Sequence, residues 1–149
     1  MAKRNYVRRI TFQQGLLEDE LRNIDNYLEN NELGVSKEKY LEICAITKSD
    51  PDPEKIPVEF AELLTDTQVA LQICELLPEK WDNVNGRYEG RDIGLVPMYL
   101  DIFRIDNRVD MLILISKINN KSIEILNKRA KRIKGNGNPG SNPKNLNRK

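Results

Sequence analysis

Histidine is missing from all 149 residues. That removes the side chain most often used as a general base, and with it the Ser-His and Cys-His nucleophilic pairs. Cysteine is scarce: Cys44 and Cys74 stand far apart and cannot by themselves assemble a four-ligand zinc site. Both are expected as reduced core thiols, because a disulfide would need an oxidising compartment that nothing in the chain suggests. Long apolar runs are missing too. The longest, Met111 to Ile115, is bounded by Asp110 and, one residue on, by Lys117, far short of the roughly eighteen residues that cross a bilayer. The opening Met-Ala-Lys-Arg-Asn-Tyr is not followed by the apolar stretch of a secretory signal, so the chain is expected to stay in the cytosol. No Gly-x-x-x-x-Gly-Lys-Ser/Thr phosphate loop occurs, and Gly86 to Gly94 lacks the strand before and the helix after that a dinucleotide fingerprint needs.

What the chain does have is the composition of a folded domain. Hydrophobic residues make up 39% and charged residues 32%, too apolar for disorder and too polar for a membrane span. A chain of this length buries roughly two thirds of its unfolded surface around one core.

The net charge of +1 conceals a division. Residues 1–10 carry Lys3, Arg4, Arg8 and Arg9 with no acid, and residues 125–149 carry Lys128, Arg129, Lys131, Arg132, Lys134, Lys144, Arg148 and Lys149, again with no acid, which leaves −11 on residues 11–124. Basic residues late in a helix complement its dipole, and terminal tails are often simply solvated. Unpaired basic runs also dock on nucleic acid or on acidic protein surfaces.

Helical spacing dominates the pattern. Leu17, Leu21, Ile24 and Leu28 fall on one face of a helix from about Thr11 to Asn31, with Glu18, Asp19, Glu20, Arg22, Asp25 and Glu29 on the other. Gly34 ends it and Ser36 caps a short second helix to about Lys48, with Val35 and Tyr40 spaced as a staple and Leu41, Cys44 and Ala45 as its apolar face. Three prolines within residues 51–57 force an extended connection, and residues 57–64 suit a shorter helix leading in. A third helix is expected from Thr65, with Thr65 and Gln68 as a capping box and Val69, Ala70, Ile73, Cys74, Leu76 and Leu77 buried. Residues 82–94 are assigned to a loop, although Asn85-Gly86 is a hairpin-type dipeptide. Pro97 opens a helix through Phe103, and Asp106 caps a last one from Asn107 to about Lys134, with Met111, Leu112, Ile115, Ile118 and Leu126 in the core and Val109, Leu114 and Ile125 widening the stripe. The expected fold is mainly α: a small single-domain bundle of about four to five helices over residues 11–134, with a basic arm at 1–10 and a disordered polar tail at 135–149.

Chemistry is sparse. Asp50, Asp52 and Glu54 lack the glycine and distal glutamate of a calcium loop, so a solvated acidic loop is expected, and no metal or cofactor. Arg87, Tyr88 and Arg91 put an aromatic ring between two guanidinium groups, a combination that stacks on a base or clamps a phosphate; the competing expectation is that Tyr88 and Trp81 pin the loop to the core.

The order Tyr40-Leu41-Glu42-Ile43-Cys44, Asp50-Pro51-Asp52-Pro53-Glu54-Lys55-Ile56-Pro57, Leu76-Leu77-Pro78-Glu79-Lys80-Trp81 and Gly86-Arg87-Tyr88-Glu89-Gly90-Arg91-Asp92 resembles small proteins of tailed bacteriophages over about residues 38–130. Such proteins mostly carry no assigned activity, so the resemblance implies a context of virion assembly, packaging or host takeover, in the host cytoplasm or the virion. The expected function is that of a non-enzymatic assembly or structural protein acting through a phage or host protein partner. The alternative is a nucleic-acid-binding protein such as a small DNA-packaging, terminase-like subunit. Partner-binding candidates are Lys3, Arg4, Arg8, Arg9, Arg87, Tyr88, Arg91, Lys128, Arg129, Lys131, Arg132 and Lys134. The wide apolar stripe of the last helix also suits self-association.

Overall fold

The computed structural model describes the backbone of residues 2–136 and the side chains of residues 17–135. Five α-helices and one two-stranded ribbon follow in the order α1 Ala2–Leu33, α2 Lys37–Thr47, α3 Thr65–Leu76, β1 Glu79–Asp82, β2 Arg87–Arg91, α4 Val96–Ile102 and α5 Arg108–Asn136, with single 3-10 turns at Phe60–Glu62 and Ile93–Leu95. The mainly α expectation holds. The last residues of the chain, 137–149, and with them the expected disordered tail, lie outside the described residues.

The 29-residue α5 is the spine against which α1, α3 and the ribbon pack. Met111, Leu114, Ile115 and Ile118 form its buried stripe, meeting Ile24 of α1, Ala70, Leu71, Ile73 and Cys74 of α3, and Val96 and Leu100 of α4. Leu17, Leu21 and Leu28 pack at the edge of this core. Lys117 reaches Asp25 at 3.1 Å, Lys121 reaches Glu29 at 2.6 Å, and Arg129 pairs with Glu32. The partner numbers rise together, so α1 and α5 run parallel, acids of one facing bases of the other. This cross-helix ladder is where part of the opposite charge of the chain's middle and its basic end is neutralised.

Several local expectations are corrected. The first helix starts at Ala2 rather than near Thr11, because nothing between residues 2 and 10 breaks a helix and Ala, Lys and Arg favour one. Glu20 is not on the solvent face: it is 4% exposed, and its carboxylate accepts the Leu64 N–H at 2.8 Å, so it serves the start of α3. Thr65 is therefore not a capping residue. Leu64 holds that position without a side-chain cap, and Gln68 instead donates to the Leu63 and Phe60 carbonyls. The shorter helix expected before α3 is reduced to one 3-10 turn. On α2, Ser36 caps as expected, accepting from Lys39 N at 3.2 Å, yet only Cys44 of the apolar face is buried, Leu41 and Ala45 being left exposed among the described residues. Leu76, Leu112 and Val109 are likewise exposed, lying beyond the edges of the buried stripes of α3 and α5.

Residues 82–94 are not a plain loop. β1 and β2 pair antiparallel, Trp81 opposite Tyr88 and Lys80 opposite Gly90, so Glu89 is the extra residue of a bulge. The turn closes with Gly86 N–H on the Asp82 carbonyl at 2.8 Å, while Asp82 Oδ1 accepts from Val84 and Asn85. The ribbon is fastened to α5 by two buried or half-buried amides. Asn127 Oδ1 accepts from Tyr88 N and its Nδ2 donates to Tyr88 O, each at 3.1 Å, and Asn119 Oδ1 accepts from Arg91 N at 2.8 Å. Asn26 of α1 holds the proline-rich connection, donating to Ile56 O at 3.0 Å and accepting from Val58 N at 2.7 Å.

Candidate functional site

Because α1 and α3 both lean on α5, a groove of about 530 Å³ lies between them, a volume within the range of ligand clefts. Ile118, Ile125 and Leu126 of α5, with Leu28 and Leu71, give it an apolar floor. One wall is Tyr27, Asn31 and Glu32 of α1; the other is Gln72 and Glu75 of α3 with Glu79, Tyr88 and Arg91 of the ribbon. Three carboxylates against one guanidinium give this lining a charge of −2.

The charges at the rim are unequally matched. Arg91 donates to the Leu77 carbonyl at 2.8 Å and pairs with Glu79 at 3.2 Å, and Glu32 is met by Arg129 from α5. Glu75 has no ion-pair partner among the described residues. Its field reaches into the groove. The Tyr27 hydroxyl is pushed up by burial and then by Glu75, and the Cys74 thiol is pushed up to about 12 by burial, Arg91 opposing and Glu75 adding. Cys44 and Cys74 are buried and unbonded, and at this value Cys74 is a protonated, inert thiol near neutrality.

Of the candidates named from the sequence, Tyr88 and Arg91 reach the groove, but as parts of its wall. Tyr88 is buried, its ring 4.9 Å from that of Trp81 at 58°, but Trp81 itself is 49% exposed, so of the two rings only that of Tyr88 packs inward. Arg91 is committed to Leu77 and Glu79, and Arg87 lies exposed at the start of β2. Lys128 pairs with Glu124 at 2.7 Å and Arg129 with Glu32. Lys131, Arg132 and Lys134 are exposed and meet no carboxylate among the described residues. The side chains of Lys3, Arg4, Arg8 and Arg9 lie outside the described residues. Tyr27, Glu75 and Glu79 carried no local signal, since a groove assembled from four elements has no spacing to read.

A second surface lies at the corner of α4 and α5. Asp101 and Arg108 form an ion pair across it, bringing the end of one helix beside the first turn of the other. Met98, Ile102 and Phe103 on one side and Val109, Leu112 and Ile113 on the other are exposed, Ile102 by 63% and Val109 by 71%. Among the described residues no group of three His, Cys, Asp or Glu side chains is placed to hold a metal ion, and no helix is long and apolar enough to cross a membrane.

Compared with known proteins, the chain matches no family model, no curated protein and no solved structure.

Proposed function

We propose that this protein is a non-enzymatic assembly or structural factor of a tailed phage, working by binding another protein, with the α4–α5 corner as the contact surface. The observation that carries the reading is that six large apolar side chains are exposed on the two helices that the Asp101–Arg108 pair joins. Apolar side chains clustered in this way mark association surfaces on folded domains. The resemblance in residue order to small phage proteins supports the phage setting. Capture from phage-infected cells with the tagged full chain, followed by mass spectrometry, is expected to recover a virion or assembly protein, and the double variant Ile102→Asp with Val109→Asp to lose it at least tenfold. Recovery of no such protein, or equal recovery by the variant, ends the reading.

A second reading, nucleic-acid binding, rests on the three cations at the end of α5 that meet no carboxylate among the described residues. If Lys131, Arg132 and Lys134 each neutralise one phosphate, removing all three lowers the slope of log affinity against log salt by roughly 2.7, at about 0.9 per contact. Titration of duplex DNA at several salt concentrations reads this directly, and an unchanged slope dismisses the second reading.

A further inference from the structure

The chain carries both halves of one contact, a groove with an apolar floor and an acidic rim, and a projecting helix end with an apolar residue among bases. The α1–α5 ladder ends at Arg129 with Glu32, and α1 itself ends at Leu33, while α5 continues to Asn136. At 1.5 Å per residue, the last seven residues of α5 run about 10 Å past that pair. Residues 131–135 are exposed throughout, and Ile133 is 67% exposed between Arg132 and Lys134. An isoleucine left in water and ringed by Lys131, Arg132 and Lys134 matches a groove floored by Ile118, Ile125 and Leu126 and rimmed by Glu75, which meets no cation among the described residues.

The two halves cannot meet within one chain. The floor of the groove and the basic end belong to the same unbroken helix, so the end cannot turn back onto the floor. We infer that the groove is the receptor for the basic end of α5 from a second copy of this chain, with Ile133 on the apolar floor and Arg132 at Glu75. The contact joins two different surfaces, so each copy still offers one free groove and one free helix end. Repetition closes a ring where the rotation allows and otherwise builds a filament. Rim charges supply orientation and on-rate and are screened by salt, and the apolar anchor holds the contact once made.

The inference does not depend on the proposed phage partner, because it is read on the pure protein: failure to capture a phage protein leaves it standing, and its own failure leaves that reading standing. Sedimentation velocity on the full chain is expected to show mass rising with protein concentration at about 50 mM salt and falling to the monomer at about 500 mM. Glu75→Lys and Arg132→Glu are each expected to weaken association at least tenfold, with unchanged circular dichroism. An equimolar mixture of the two is expected to regain it, because the natural helix end of the first meets the natural groove of the second, and the two altered surfaces complement each other. A monomer at every concentration in low salt overturns the inference. So does association that survives both substitutions, association lost instead on Ile102→Asp at the α4–α5 corner, or loss in both variants without recovery on mixing.

Discussion

A Cβ at Gly90 would lie 2.6 Å from Asn119 Oδ1 and 2.8 Å from Ile123, on a backbone with φ of +90°. Both conditions trace to the bulge. The extra residue Glu89 turns the strand, and the close approach lets Asn119 take the Arg91 N–H and so set Arg91 at the groove rim. Gly90→Ala must displace a buried amide from α5 and adopt a strained backbone, a combined cost of about 2–4 kcal/mol. Gly86 has positive φ as well, +64°, but nothing within 4 Å of its added Cβ, so Gly86→Ala is expected to cost only about 1 kcal/mol. Urea unfolding followed by Trp81 fluorescence compares the two; equal costs would mean that the contact with Asn119 is not what Gly90 serves.

At the scale of elements, the α1–α5 ladder turns on Lys121, whose side chain is 12% exposed and lies within ion-pair distance of both Glu29 and Glu124. Burial works against its charge, yet the hydrogen bond it donates to Glu29 and the fields of Glu29, Asp25 and Glu124 hold its pKa above the ordinary lysine value. Lys121→Met keeps the stem and takes the cation from Glu29, while Asp25 and Glu124 keep Lys117 and Lys128, so a loss of about 1–2 kcal/mol is expected, larger at low salt. A neutral or stabilising result in urea unfolding would show that desolvation of the ammonium cancels the pair. Elements of this kind were legible in the chain: Leu17, Leu21, Ile24 and Leu28, and Met111, Ile115 and Ile118, sit at helical spacing and pack as that spacing requires. The ribbon was not. Its first strand has no buried residue, so no alternation marks it, and it is held by Asn119 and Asn127, which lie 28 and 39 residues from their backbone partners. Glu20 misled for the same reason, since its partner Leu64 is 44 residues away.

For the whole molecule, pH acts from two sides. Glu62 is held low by the Glu59 N–H and then by Lys37, Glu124 by its hydrogen bond from Lys128, and Asp82 by Asn85. A carboxyl with a depressed folded pKa contributes above its unfolded value and loses that contribution as pH falls through the folded one. Cys74 has the opposite sign: with a folded pKa of about 12 against an ordinary 9.0, its contribution is complete below pH 9.0 and is lost as pH climbs towards 12. Tyr27 and Tyr88, raised mainly by burial, and Lys121 push the same way at alkaline pH. The urea midpoint is therefore expected to be flat from about pH 5 to pH 9 and to fall on either side. A midpoint still rising above pH 9 would contradict the buried, protonated thiol.

That α5 comes last in the described chain while forming the floor of everything else has a consequence for synthesis. As the chain leaves the ribosome, α1 through α4 emerge with their apolar faces finished but their common support not yet made. Lys121 and Arg129 must find Glu29 and Glu32 across more than ninety residues. Closure therefore waits until nearly the whole domain has been translated, and until then the nascent chain presents Ile24, Ile73 and Leu77 to whatever holds unfinished proteins in the cell.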